Sequence, residues 1–553
     1  MNKNLTLMHY LSKLQDTVIQ CWDKTAVCNY RGESFSFGEL AANIEKFHIF
    51  FDKAGLHEGD KVAVCAKNSA RWAVSFLAAN TYGTVTVPIL ADFLPDAIAG
   101  LVSHSDSRAL FTDEETWNAM DKSALGGLLF VINVTDFTLL HSSDRKIRAA
   151  YDSIPESMQS KYPMGFGRGN VSYPVEKPGD LAVINYTSGT TSAPKGVMLS
   201  FANISASVSY GIKRLYVDSS DSVVSMLPMG HIYGLVFEFL YPLCHGASVC
   251  FFGKTPSPTL LLKAMADVKP YMVVSVPLVM EKIFKTSIKP LLSRGYMKLL
   301  THLPIIRHFV FRKIGRGLIN AFGGRVRIFI MGGAALNPEV ENCFRHIKLP
   351  YMVGYGMTEA APLLAYEEPG KYVPGSCGKA VDCTDIRIDS DDPQHIAGEI
   401  QAKGDNICSG YYKNPEATEA AFTDDGYLRT GDLGIMDTDG NIFIKGRSKN
   451  MILTANGQNI YPEEVEAVIN SQEFVAESVV LDRASKLVAL IYLDAEAIRK
   501  ANLDDESIAD IPEKVRLDTN RLMPPFSRIA KVEVVLAPFE KTPKFSIKRF
   551  LYK

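Results

Sequence analysis

The chain carries no excess of charge of either sign. Its 553 residues hold 59 Lys and Arg against 61 Asp and Glu, a formal net charge of −2. So even a balance gives no electrostatic case for a nucleic-acid partner. Cysteine is sparse. The nine residues, at 21, 28, 65, 244, 250, 343, 377, 383 and 408, are odd in number and never spaced C-x-x-C. That argues against a disulfide framework or a zinc site and for a reducing, cytoplasmic compartment. Long unbroken apolar runs are missing. The most apolar stretch, residues 223–252, is interrupted by Pro228, Gly230, His231, Gly234, Glu238, Pro242 and His245. It is poor as a membrane span and better as buried structure lining a cavity. The first twenty residues are amphipathic and lack the apolar core of a signal peptide. Internal repeats and low-complexity linkers are absent as well.

What remains is ordinary globular composition, 47% hydrophobic and 22% charged, in a chain too long for one ordinary domain. Apolar β-like runs at 62–65, 84–88, 271–276 and 327–331 alternate with helical patterns such as that through Trp72, Phe76 and Ala79. Alternation of this kind through the first 440 residues predicts α/β layers with largely parallel sheets. Asn337-Pro338-Glu339 reads as a helix start, with Val340, Phe344 and Ile347 on one face. Near residue 446 the texture changes to Gly-Arg-Ser-Lys-Asn. Beyond it the pattern suggests a small separate α/β unit, with strands at 477–481 and 488–492 and a helix opening at Pro462.

The most informative run is 186–196, YTSGTTSAPKG, between two apolar β-prone segments. Its Thr187, Ser188, Gly189, Thr190, Thr191 and Ser192 can turn hydroxyls and backbone N–H groups toward one anion, with the Lys195 charge at the edge. It is not a G-x-x-x-x-G-K-[ST] phosphate loop, because Pro194 stands where that motif needs glycine. It closely resembles the phosphate loop of the adenylate-forming enzymes: acyl-CoA synthetases, luciferases and peptide-synthetase adenylation domains. Seven further stretches match that family in its order, so the resemblance covers essentially the whole chain. It implies a large multi-sheet α/β N-terminal domain (1–447) that binds ATP and an acyl group. A small mobile α/β C-terminal domain (448–553) would swivel against it.

The resemblance also implies roles. Residues 228–235, PMGHIYGL, match the loop that gates the acyl pocket, with His231 at a position often aromatic or His. Residues 331–336, MGGAAL, match one wall of the adenine site, through Gly333 and Ala334. Residues 353–359, VGYGMTE, match the other wall and the α-phosphate site: Tyr355 would stack on adenine with Gly356 beside it, Thr358 would hydrogen-bond the α-phosphate, and Glu359 would bind Mg²⁺, a cation that prefers hard oxygen ligands. Asp432, in YLRTGDLG, falls where the family's carboxylate accepts both ribose hydroxyls. Arg447 would reach the nucleotide, and Lys449 stands at the hinge. Gly457, in TANGQNIYPEEVE, would leave room for the pantetheine of CoA. Asn68-Ser-Ala-Arg-Trp72 matches a framework motif without chemistry.

One position departs from the pattern. The family reads Thr-Pro-x-x-Lys near its C-terminus, and this chain has Ser546 there, with Lys544 and Lys548 two residues to either side. Residues two apart on an extended segment share a face, so Lys544 is the expected replacement and Lys548 the weaker one. The acid is less defined. Residues 282–327 hold eleven Lys and Arg and no acid, interleaved with apolar residues. That mix suits peripheral contact with an anionic membrane surface, and equally a solvated basic helix pair packed on the core. This insertion, and GRSKNMILTANGQNIYPEEVE, look like the long-chain fatty acyl-CoA synthetase branch. The expected activity is therefore ATP- and Mg²⁺-dependent adenylation of a long-chain fatty acid, then acyl transfer to CoA. The alternatives are an acyl carrier protein acceptor, an aryl acid, or a non-catalytic nucleotide- or adenylate-binding homologue. Self-association is compatible with any of these.

Overall fold

A computed structural model describes residues 8–174, 177–187, 194–215, 217–253, 258–295, 297, 303–453, 459–483, 486–541 and 547–552. Two seven-stranded sheets dominate it. One runs, in spatial order, Leu139–Ser142, Phe130–Asn133, Ser107–Thr112, Lys61–Cys65, Val85–Ile89, Leu181–Thr187 and Lys195–Ser200. The other runs Tyr351–Val353, Ile328–Met331, Met272–Ser275, Ser222–Ser225, Ser248–Phe251, Thr25–Asn29 and Ser34–Ser36. Pairing is parallel throughout except at the hairpin-like edges. Strands covered on both faces need apolar residues at every position, and Val85–Ile89 and Ile328–Met331 are buried along their whole length. The helix Ala70–Thr81 joins two parallel strands as the periodicity predicts. Ser69 caps it by accepting from the Trp72 N–H at 3.0 Å, and Trp72 is buried. A single apolar cluster draws on both sheets, through Val62 and Phe111 from one and Val223 and Val249 from the other. The two sheets therefore pack as layers of one unit.

The parallel pattern does not continue to residue 440. Thr384–Asp389, Gly398–Gly404, Leu428–Met436 and Ile442–Arg447 form a four-stranded, wholly antiparallel sheet. The cause is legible in Thr384–Asp389, where buried and exposed residues alternate because one face packs and the other meets water. After Arg447 comes the short turn Ser448–Asn450. A third assembly follows: strands Val475–Arg483, Lys486–Leu493 and Ile529–Val535, with helices Pro462–Asn470 and Asp505–Leu522. Its core, with Val465, Ile469, Ile491 and Val515, is separate from the others.

The apolar stretch 223–252 folds into two strands and short helical turns and is almost wholly buried. Among the described residues no helix is long and apolar enough to cross a membrane. The basic stretch is only partly a solvated face. Lys285 donates to the Asn470 carbonyl at 3.2 Å, Lys289 pairs with Glu339 at 2.9 Å, and Arg325 pairs with Asp221 at 2.9 Å. On the helix Pro304–Ala321, Phe309 is 66% exposed while Ile314 and Leu318 pack on the core. Lys298 lies outside the described residues.

Candidate active site

The hairpin Leu181–Thr187 and Lys195–Ser200 brings Thr187 opposite Lys195, with the Thr187 hydroxyl 3.4 Å from the Lys195 carbonyl. The loop it closes, with Ser188, Gly189, Thr190 and Thr191, lies outside the described residues, as do Gly457, Lys544 and Ser546. The strand after the loop is held on its outer side by the segment 409–412. Tyr412 N donates to the Gly196 carbonyl at 2.8 Å and Met198 N to the Gly410 carbonyl at 3.0 Å. This pairing delivers Tyr411, which the sequence reading missed. The Lys195 ammonium sits 4.8 Å from the centre of its ring, and its hydroxyl donates to Glu359 Oε1 at 2.9 Å. Burial raises the Tyr411 pKa, and the Glu359 charge raises it further, so the hydroxyl stays a donor. Cation, ring and carboxylate form one chain across the site.

Glu359 occupies the turn Thr358–Ala360, and both it and Thr358 are buried rather than at the surface. A solvated acid is the default for a glutamate in a loop. Here the Cys408 N–H fixes the Glu359 carbonyl at 2.8 Å, and the side chain turns inward to Tyr411.

Four residues earlier in the same motif, the Tyr355 hydroxyl donates to Asp432 Oδ2 at 2.8 Å. Asp432 Oδ1 pairs with Arg447 Nε at 2.7 Å, because the two residues are direct partners across adjacent antiparallel strands. Burial raises the Asp432 pKa, and the Arg447 charge opposes that rise. Tyr355 is only 6% exposed and packs in a cluster with Leu364, Ala365 and Ile400. Its hydroxyl bond ties the motif 353–359 to the strand that carries Asp432. Gly356 is a point of close backbone approach, since a Cβ there would lie 2.0 Å from the Pro362 carbonyl oxygen.

The segment 332–336 leaves the end of the strand Ile328–Met331. Gly333 has φ +87°, a conformation that glycine adopts at no steric cost, and both Gly333 and Ala334 are exposed. Tyr233 packs under Gly332, and a Cβ on that glycine would lie 3.1 Å from its ring. His231, two residues before Tyr233, caps the short turn Ile232–Gly234, its carbonyl accepting from Leu235 N at 3.0 Å. Lys449 is exposed on the turn after Arg447.

Among the described residues no cluster of three or more His, Cys, Asp or Glu could hold a metal ion. A single inward carboxylate such as Glu359 fits Mg²⁺ of the kind that binds one or two protein carboxylates and completes its shell with phosphate oxygens and water.

A model of the AMP-binding enzymes matches residues 14–412, and a model of the AMP-binding enzyme C-terminal domain matches residues 449–552. The chain belongs to the AMP-binding enzyme family. The enzyme is 31% identical over 485 residues to the peroxisomal long chain acyl-CoA synthetase 6 of Arabidopsis thaliana, covering 80% of this chain and 66% of that one. It is 28% identical over 509 residues to long-chain-fatty-acid–CoA ligase 1 of Saccharomyces cerevisiae, covering 82% and 70%. The chain thus spans about two thirds of the length of these relatives. Solved structures share the fold end to end. ATP-bound MatB from Rhodopseudomonas palustris superposes with a TM-score of 0.77 at 23% identity, covering 99% and 98% of the two chains. The anthranilate CoA ligase AuaEII with anthranoyl-AMP superposes with a TM-score of 0.80 at 20% identity, covering 100% and 98%.

Proposed function

We propose that the enzyme is an ATP-dependent acid–thiol ligase that adenylates a long-chain fatty acid, releases pyrophosphate, and passes the acyl group to CoA. One observation carries the reading. The segment 355–359 serves two charged groups at once: Tyr355 bonds Asp432, and Glu359 bonds Tyr411 beside Lys195. An ATP laid along this segment has a carboxylate for its ribose at one end and a cation with a metal-binding acid for its phosphates at the other. The names of the sequence relatives support a long-chain acid and CoA, and the ATP- and magnesium-bound state of a fold relative, o-succinylbenzoate CoA synthetase from Bacillus subtilis, supports ATP with Mg²⁺.

A carboxylate is a poor acyl donor, and joining it to AMP supplies a good leaving group. The protein's task is to align the acid oxygen with the α-phosphorus and to stabilise the charge that develops there. In this reading Asp432 holds the ribose and Gly333, Ala334 and Gly356 border the adenine, with Tyr355 orienting Asp432. Thr358 and Lys195 face the phosphates with Thr187, Ser188, Gly189, Thr190 and Thr191. Magnesium bound with ATP at Glu359 neutralises phosphate charge. Lys544 supplies the cation missing at Ser546. The unit beyond Arg447, residues 448–553, then turns about Lys449, and Gly457 admits the pantetheine thiol. Ser546 favours one second reading, a homologue that binds nucleotide without turnover.

Pyrophosphate release across a panel of long-chain, short-chain and aryl acids, with and without CoA, separates these readings. Release with long-chain acids and acyl-CoA formation only when CoA is present is the expected result. Measurable ATP binding without release for any acid overturns the ligase reading in favour of the second.

A further inference from the structure

The loop 225–231 joins the strand Ser222–Ser225 to the turn that carries His231 and Tyr233, and side chains from one nearby and two distant parts of the chain hold it. Glu238 is completely buried on a π-helical turn, Leu235–Leu240. Its Oε2 accepts three hydrogen bonds, from Ser225 Oγ at 3.1 Å, Met226 N at 3.0 Å and Leu227 N at 2.9 Å. Asn68 holds Leu227 and Met229: Nδ2 donates to the Leu227 carbonyl at 2.7 Å, and Oδ1 accepts from Met229 N at 2.9 Å. Asn185, two residues before Thr187 on the phosphate-side strand and 1% exposed, donates to the Gly230 carbonyl at 2.9 Å. Gly230 itself lies against Leu90, whose backbone N would be 3.0 Å from a Cβ there. Buried loop backbone must be paired somewhere, and here side chains do the pairing that a strand or helix otherwise would. π-helical turns cost regular hydrogen bonding and occur often at functional sites; this one aims Glu238 back at the loop.

We propose that Asn68, Asn185 and Glu238 are positioning residues that clamp the loop 225–231 and thereby set the acid-binding side of the site against the phosphate-side strand. This rests on the reading above, in which the loop borders the acyl group. None of the three touches a reacting atom. Their effect passes through the backbone of Met226, Leu227, Met229 and Gly230 to His231, and through Tyr233 to the wall at Gly332. Asn185 anchors the Gly230 end of the loop to the strand that ends at Thr187. Burial raises the Glu238 pKa well above the usual carboxylate value, so Gln is the conservative substitute and Leu the disruptive one.

The test uses the full-length protein as Glu238→Leu, Glu238→Gln and Asn68→Ala, read by amide hydrogen exchange and by steady-state kinetics. A lost hydrogen bond of this kind corresponds to a change of about tenfold. Glu238→Leu should speed exchange across 226–229 by about that factor and raise KM for the acid similarly, with KM for ATP and exchange elsewhere unchanged. Glu238→Gln should restore both. Asn68→Ala, at a half-buried site, should give the same split in milder form. Unchanged exchange at 226–229 in both disruptive variants, or KM for acid and ATP rising together, overturns the proposal. A parent protein inert with every acid would instead sink the ligase reading, and the exchange data would still decide the clamp.

Discussion

Asp432→Asn isolates the ribose contact with little damage to the fold. The carboxylate is 5% exposed, and its two oxygens take the Tyr355 hydroxyl at 2.8 Å and Arg447 Nε at 2.7 Å. Alanine would leave the buried Tyr355 hydroxyl without an acceptor, a cost of about 1–3 kcal/mol that confuses stability with binding. Asparagine keeps one acceptor oxygen for Tyr355 and loses the pairing with Arg447. The Arg447 side chain is 55% exposed, so solvent screens that pair and its loss costs about 1 kcal/mol at most. Binding should suffer more. Hydrogen bonds to a charged acceptor contribute about 1.5–3 kcal/mol each, and neutral ones about 1 kcal/mol. Exchanging two of the former for one of the latter costs about 2–5 kcal/mol, a rise in KM for ATP of roughly 30-fold at the least and about 10³-fold or more at the upper end. The assay is pyrophosphate release against ATP concentration at saturating acid, beside a thermal melt. An unchanged KM for ATP, or an equal rise for ATP and acid, would refute the placement of the ribose.

Tyr411→Phe removes the hydroxyl on Glu359 but keeps the ring under Lys195, so the Mg²⁺ concentration needed for half-maximal adenylation should rise about three- to tenfold; no change in the Mg²⁺ titration would mean that Tyr411 is only packing. Lys449→Pro fixes φ at the turn after Arg447. Adenylate should still form while acyl-CoA formation is lost, and equal loss of both steps would exclude a hinge there. Lys544→Ala should lower pyrophosphate exchange about 10²–10³-fold, and full exchange in that variant with loss in Lys548→Ala would assign the role to Lys548. His48 should destabilise the fold in acid: burial lowers its pKa from 6.5 to about 4. The unfolded chain therefore takes up a proton that the folded one refuses. Stability present above pH 6.5 should fall by up to about 3 kcal/mol toward pH 4. A His48→Gln variant whose melting temperature falls as steeply over that range would show that other groups carry the effect.

Much of the fold was legible in the sequence because it is written locally. Short, mostly apolar strands, and the Asn337 cap with Pro338 behind it, state their structure without help from the rest of the chain. The antiparallel sheet of residues 384–447 was not, since its short alternating runs lie beside turn residues that give no pairing partner. The site divides the same way. Thr187, Lys195, Thr358, Glu359 and Asp432 were legible as strings within motifs. Tyr411 was not, because its bond to Glu359 spans 52 residues and depends on an isolated pairing beside Val197. Asn68 was read as framework without chemistry, and its bonds to Leu227 and Met229, 159 and 161 residues away, reveal what it holds. Tyr355 shows the converse: the motif named the residue, while its bond to Asp432, 77 residues away, is visible only in the fold.

The central claim is a two-step reaction through an acyl-adenylate. The enzyme incubated with palmitic acid, ATP and Mg²⁺ and quenched without CoA should yield palmitoyl-AMP and pyrophosphate at up to the enzyme concentration. Adding CoA before the quench should convert the adenylate to palmitoyl-CoA and AMP. Release of ADP and phosphate, or an ATP pool left intact beside bound nucleotide, would contradict the account.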